Sequence, residues 1–315
     1  MRVAKALGVL ASIPIAIAAL LFWQHRQAVT LPAPTGPYAV GRADHDWIDR
    51  NRLDPIADEK GSFRELTVWI WYPAAATSSP GVQYMPAPLR VALERHMGVI
   101  LTRFLTRDLS LVRPHAIAGA SLSPDSKKYP VLLLKPGIGA LALDYTTLAE
   151  DLASHGYVVV GSDSPHSTTV VVYQDGRIAR RTAAGRPAKG HAFDDLAKVW
   201  ADDDRFLLDQ LALMPAWRDK LDFQSVGAFG HSFGGAASLR FCSDEPRCKA
   251  AVDLDGALHG DAEPATNKPL LFFLSGQANS SAPEVQPIVS KIRSIANRLP
   301  NRPSFLTLAG SELQK

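Results

Sequence analysis

Cysteine is nearly absent from this 315-residue chain: Cys242 and Cys248 are the whole complement, six positions apart in Cys-Ser-Asp-Glu-Pro-Arg-Cys. Two thiols cannot build a disulfide framework or a four-cysteine zinc site. They leave open one local disulfide in an oxidising compartment, or two free thiols. Charge of one sign is equally lacking. A formal net charge of +3, with basic residues scattered, gives no stripe for nucleic acid and no reason for an acidic partner. No internal repeat is visible, and nothing in the chain points to a metal or another cofactor.

With 46% hydrophobic and 21% charged residues, the chain can bury one large core. One long apolar run stands apart at the N-terminus. Arg2 and Lys5 precede an uncharged stretch from Ala6 to Trp23, closed by Gln24-His25-Arg26. Eighteen residues are long for a signal-peptide core and just enough to span a membrane. Pro14 would kink a soluble helix but is tolerated in a membrane span. No clean small-x-small site follows Phe22-Trp23, although Ala16-Ile17-Ala18 offers an early one. Residues 1–26 are therefore expected to be a signal anchor in preference to a cleaved signal peptide. Either way the body is exported.

Residues 27–37, with three prolines, read as an extended linker to one domain at 38–315. Glu65 to Pro73 alternates and is rich in β-formers. Apolar residues at 89, 93, 97, 100, 101, 104 and 105 predict a helix within an insertion of about 85–115, placed over the site or packed on the body. From residue 130 the rhythm becomes strand, turn, helix. Strands are expected at Val131–Leu134, Tyr157–Gly161, Val226–Gly230, Ala250–Asp255, Leu270–Leu274 and Phe305–Leu308, with helices at 145–154 and 193–213. Continuous apolar strands alternating with helices imply an α/β fold, a largely parallel sheet covered on both faces.

The chemistry concentrates at Gly230-His231-Ser232-Phe233-Gly234-Gly235-Ala236. A short apolar strand, a serine between glycines and a small-residue helix make the G-x-S-x-G nucleophile elbow. Ser232 is the candidate nucleophile. The α/β-hydrolase arrangement then expects an acid and a histidine, in that order, at the ends of later strands. Asp255 fills the acid slot, with Gly256 allowing the turn; Asp253, on the other side of the strand by period two, is the lesser candidate. The oxyanion hole requires two backbone donors: the N–H of Phe233 and one from Gly137-Ile138-Gly139, with Ile138 the expected donor.

The base has no obvious owner. It should follow the last strand, yet no histidine occurs after His259. A closing C-terminal helix is missing as well. Three explanations stand open: a truncated or frameshifted product, the favoured one; substitution by His259 or His166; or a hydrolase relic without turnover. His231 is expected to point away from Ser232, His155 to stop a helix, and His25 to flank the apolar run.

Assembled in order, these pieces resemble the platelet-activating-factor acetylhydrolase family, of the plasma and intracellular type II group. The matching stretches are Thr35–Gly41, Arg64–Pro73, Pro136–Gly139, Asp151–Tyr157, Gly230–Ala236 and Asp253–Gly256. The resemblance implies an α/β-hydrolase that cleaves short or oxidised acyl esters without calcium. It carries the nucleophile to Ser232, the acid to Asp255 and the oxyanion donors to Ile138 and Phe233. Lys135-Pro136 departs from a histidine often found before the turn, as does the absent catalytic histidine. The expected activity is serine-dependent hydrolysis of a small lipid-like or short-acyl ester through an acyl-enzyme, with the protein held at a membrane by its N-terminal segment. A general or dienelactone-hydrolase-like esterase is the alternative enzyme, and a dead binding or structural envelope protein the alternative of another class.

Overall fold

Alternating apolar side chains send each central strand's residues to two opposite faces of a nine-stranded sheet. The computed structural model describes residues 2–98, 102, 106–126, 128–187, 190–258, 267–279, 285–299 and 303–308, with backbone only for 2–12, 277 and 279. The strands are β1 (Ala39–Leu53), β2 (Phe63–Ala74), β3 (Ile117–Ala118), β4 (Tyr129–Lys135) and β5 (Val158–Asp163). They continue with β6 (Leu221–His231), β7 (Cys248–Leu254), β8 (Leu270–Ser275) and β9 (Ser304–Leu308). Their spatial order is β9-β8-β7-β6-β4-β5-β2-β1-β3. From β5 across to β9 all neighbours are parallel, whereas β2 runs antiparallel to both β5 and β1.

Among the described residues six helices longer than one turn accompany the sheet, besides the single turn Pro215–Arg218: α1 (Arg2–His25), α2 (Ala87–Met97), α3 (Thr146–Ser154), α4 (His191–Leu213), α5 (Phe233–Asp244) and α6 (Gln286–Arg298). One core cluster joins Val68, Ile70, Leu133, Val158 and Val160 to Leu207, Leu208 and Leu211 of α4, Phe241 of α5 and Ile292 of α6. The other joins Trp69, Trp71, Leu134 and Val159 to Leu89 and Leu93 of α2 and Ala149 of α3. Sheet alternation thus supplies both layers of an α/β sandwich. The helix expected over 89–105 starts at Ala87 and ends at Met97, and its buried residues belong to this second cluster. Positions 99–101 and 103–105 lie outside the described residues, as do 309–315.

The 27–37 segment is extended but fastened down. Val29–Thr30 pairs in parallel with Val112–Arg113, and Thr35 donates from both its backbone and its hydroxyl to Asp151 at 2.8 Å. Cys242 and Cys248 form a disulfide, tying the end of α5 to the start of β7. Among the described residues no helix is long and apolar enough to cross a membrane; the side chains of 6–12, the first part of the span expected at 6–23, lie outside them.

Candidate active site

Ser232 alone makes the turn between β6 and α5. Its backbone stands at φ 54° and ψ −128°, a conformation nearly reserved for glycine. Gly234 explains the next step, because a Cβ there would collide with the carbonyl oxygens of Lys135 and Pro136. The elbow therefore touches the end of β4 backbone to backbone. The Ser232 N–H donates to the Leu254 carbonyl at 3.0 Å, and its own carbonyl accepts from the Gly235 N–H at 2.9 Å.

Among the described residues, positive φ outside glycine occurs at Ser232, Asp255 (55°) and His166 (66°). Asp255 lies just past β7. Its N–H donates to the Phe273 carbonyl at 2.6 Å, and its Oδ1 accepts the Ser275 N–H at 2.7 Å, so the end of β8 fixes it. Asp253, two residues earlier, is fully buried instead. Its Oδ1 accepts the Gly256 N–H at 2.7 Å, while Oδ2 has no partner among the described residues. Burial, with the nearby Asp255 charge adding, pushes its pKa up to about 7.

The turn after β4 faces this pair. The place a Cβ on Gly137 would take is 3.3 Å from the Ser232 Cβ. Gly137 donates its N–H to the Tyr145 hydroxyl at 3.3 Å, and Gly139 donates to the Ser167 carbonyl at 3.1 Å. The amide between them, that of Ile138, has no acceptor among the described residues, nor has that of Phe233 at the first position of α5. Two free donors flank Ser232, one from each side, with the positive end of α5 behind one of them. The Phe233 ring is anchored away from the turn, 4.9 Å from Trp200 and 5.8 Å from Phe193, in an apolar cluster that Ile138 also packs against.

The histidines are engaged elsewhere. His231 Nδ1 lies 2.8 Å from the Tyr145 hydroxyl, and burial pushes its pKa down against the pull of Asp255. His166 Nδ1 contacts the Arg180 carbonyl at 3.1 Å, and its Nε2 is 3.8 Å from Asp54. His155 contacts the Thr35 hydroxyl at 3.0 Å and His25 the Thr106 carbonyl. His259 lies outside the described residues. None of these four rings makes a hydrogen bond or ion pair with the side chain of Ser232 or Asp255.

Sequence reasoning missed what holds the β4 turn. Lys135, fully buried, donates to the Ser162 hydroxyl at 2.7 Å and lies 3.0 Å from Asp204 Oδ1. Neighbouring Asp203 binds Arg64 at 2.8 Å and Arg52 at 2.6 Å. A signal existed: Asp203 and Asp204 share the helical face of Trp200, Leu207, Leu208 and Leu211, which marks both as buried. Their surroundings split them. Burial resists ionisation of both, but two guanidinium groups hold Asp203 well below the usual carboxylate range, whereas Asp204, with one lysine, is pushed up to about 6.

The model of the family "Platelet-activating factor acetylhydrolase, isoform II" matches residues 23–181 and 199–300, most of the chain. The chain belongs to this family. A probable 1-alkyl-2-acetylglycerophosphocholine esterase of Arthroderma benhamiae is 33% identical over 256 residues, covering 74% of this chain and 60% of that protein. The platelet-activating factor acetylhydrolase of Cavia porcellus is 24% identical, covering 82% of this chain and 63% of the relative. This chain thus spans about three fifths of the length of these curated relatives. Among solved structures, a ferulic acid esterase from Streptomyces cinnamoneus superposes with a TM-score of 0.75 at 30% identity, covering 89% of this chain and 76% of that one. The fold is that of the α/β-hydrolase esterases.

Proposed function

We propose that this protein is a serine-dependent carboxylic-ester hydrolase that acts on short-acyl, lipid-like esters through an acyl-enzyme. The observation that carries the reading is Ser232 itself. A non-glycine residue is held at positive φ between a strand and a helix, beside two amides without acceptors among the described residues. Backbone strain of this kind persists only where the surroundings over-determine it, and it clusters at reactive positions. The Ser232 hydroxyl attacks the ester carbonyl, and the carbonyl oxygen gains negative charge as the tetrahedral intermediate forms. The Ile138 and Phe233 amides receive that charge. The alcohol leaves, and water then cleaves the acyl-serine. A base oriented by Asp255 takes the serine proton and hands it to the departing alcohol oxygen; His259, outside the described residues, is the sequence's candidate for it.

The relatives named as acetylhydrolase and 1-alkyl-2-acetylglycerophosphocholine esterase support an acetyl ester of a glycerophospholipid as the substrate type. The ferulic acid esterase likeness favours a second reading, a short-acyl esterase with no phospholipid preference. A fluorophosphonate tests the common core: it labels Ser232 in the full chain and fails to label Ser232→Ala. Acetyl release from a 2-acetyl glycerophospholipid, compared with nitrophenyl acetate, separates the two substrate readings. A folded protein that neither reacts with the probe nor hydrolyses either ester is a binding protein, and the proposal falls.

The same proposal places the body outside the cytoplasm with α1 as its export or anchoring element. The closed Cys242–Cys248 disulfide supports an oxidising compartment. Ile13, Ile15, Ile17, Leu20 and Trp23 of α1 are all exposed, an apolar surface with nothing on it. Carbonate extraction of membranes from producing cells distinguishes an anchored protein, which stays in the pellet, from a released one.

A further inference from the structure

Arg181 lies against the turn after β4 with no hydrogen-bond or ion-pair partner among the described residues. Its Nη1 is 3.2 Å from the point a Cβ on Gly139 would occupy. Gly139 has a φ of 90°, a conformation suited to glycine, and its missing side chain leaves the guanidinium its place. Gly139 directly follows Ile138, whose amide is the free donor on this side. The nearby Thr169 hydroxyl is already used, donating to the Gly139 carbonyl at 2.8 Å.

Several arginines of the body are spent on carboxylates, and Arg42 on the carbonyls of Gln83 and Tyr84. Arg64 binds Asp54 and Asp203, and Arg177, four residues before Arg181, grips Glu65 with two contacts of 2.8 Å. Arg181 is half-buried, yet it makes no hydrogen bond or ion pair with any described residue. Holding a guanidinium part-way out of water without a counter-charge does nothing for folding. Beside an oxyanion turn it is a prepared anion receptor.

We propose that Arg181 is a specificity-determining residue that binds an anionic group, carboxylate or phosphate, carried by the ester that reacts at Ser232. The proposal rests on the reading of Ser232 as nucleophile. A planar guanidinium pairs with either anion through two parallel hydrogen bonds. Because it sits beyond the Ile138 amide and not at the reacting carbonyl, it discriminates among esters and does not accelerate all of them.

The test measures phosphonylation rates of Ser232 in the full chain, in Arg181→Gln and in Arg181→Lys. Three fluorophosphonates of equal chain length are compared: neutral, carboxylate-ended and phosphate-ended. Arg181→Gln is expected to slow the anionic probes about 10- to 100-fold and the neutral one by less than about twofold, with Arg181→Lys intermediate. The anionic probe that loses more names the group recognised. Equal slowing of all three probes overturns the proposal, since Arg181 would then serve the oxyanion or the fold; no slowing of any overturns it too. If the neutral probe fails even on the unsubstituted chain, the nucleophile reading is what has failed. Calorimetric titration of Ser232→Ala with nitrophenyl hemisuccinate and nitrophenyl butyrate then decides separately. Hemisuccinate binding that Arg181→Gln abolishes supports the anion site, and no preference over butyrate overturns it.

Discussion

On the α5 side of Ser232, position is set by backbones in contact; on the β4 side it is set by buried charge. The α5 wall consists of a strained serine, glycines pressed on neighbouring carbonyls and two aspartates, with no cation paired to either aspartate among the described residues. The β4 wall is cationic. Lys135 fastens its strand to β5 and α4, and Arg181 overlies its turn. Steric fixation tolerates almost no change in the residues that make it, and pH reaches this wall through the buried carboxyl of Asp253. Ionic fixation tolerates shape changes and depends on the protonation of its partners. The carboxylates at the end of β7 test where the acidic wall does chemistry. Asp255→Asn is expected to slow Ser232 acylation about 10⁴-fold, as loss of a base-orienting carboxylate does. Asp253→Asn, with its side chain fully buried, leaves the rate unchanged. Stopped-flow acylation by a nitrophenyl ester reads both, and a reversed order would transfer the role to Asp253.

The next largest effect is expected at Lys135. Lys135→Met strands Asp204 in the core, and breaking a buried pair by removing one partner costs about 3–5 kcal/mol. Asp204 can escape by protonation, since its pKa is already pushed up to about 6. Urea unfolding should therefore show a greater loss at pH 8 than at pH 5, and the double variant Lys135→Met with Asp204→Leu should recover most of it. Equal losses at both pH values would mean that packing of the lysine stem, and not its charge, holds the wall.

What the sequence discloses follows the same division. The α5 wall is local: strand, serine, glycines and slim helix occupy a dozen consecutive residues, so spacing alone locates Ser232 and the strand ends that carry Asp255 and Ile138. The β4 wall is assembled from afar. Lys135 meets Asp204, and Gly139 meets Arg181, across intervals that no periodicity encodes. The long strand β1, next to the sheet's edge, escaped notice because Arg42, Asp44, Asp46, Asp49 and Arg50 make it look like loop. Its pairing with β2 is nonetheless almost continuous. Helix α6 was equally silent behind its polar residues, although Val289, Ile292, Ile295 and Ala296 trace a buried stripe. The disulfide, left undecided by two cysteines, is decided by the meeting of α5 and β7.

A smaller pH effect belongs to the α5 wall. Asp253 has its pKa raised by burial from 3.8 to about 7, so between those values the folded protein binds a proton that the unfolded chain does not. Stability must fall as pH rises through that window. Asp163, also buried and pushed up to about 7, acts in the same sense and persists in the variant. Unfolding midpoints at pH 5 and pH 8 should therefore differ less in Asp253→Asn than in the unsubstituted chain. An unchanged difference would place the Asp253 carboxyl in contact with water or a cation.

The smallest effect isolates the strain itself. Ser232→Gly and Ser232→Ala both remove the hydroxyl, but only glycine rests comfortably at φ 54° and ψ −128°. Strained non-glycine backbone costs about 1–3 kcal/mol, and the extra freedom of glycine in the unfolded chain returns part of that. Ser232→Gly should accordingly be more stable than Ser232→Ala by about 1 kcal/mol, read from urea midpoints at matched slopes. Alanine keeps the Cβ that serine already places at this turn and adds no atom, so new steric crowding cannot account for a difference between the two variants. If alanine proved equal or better, the elbow would carry no stored strain, and the serine would be held there by its neighbours at no cost.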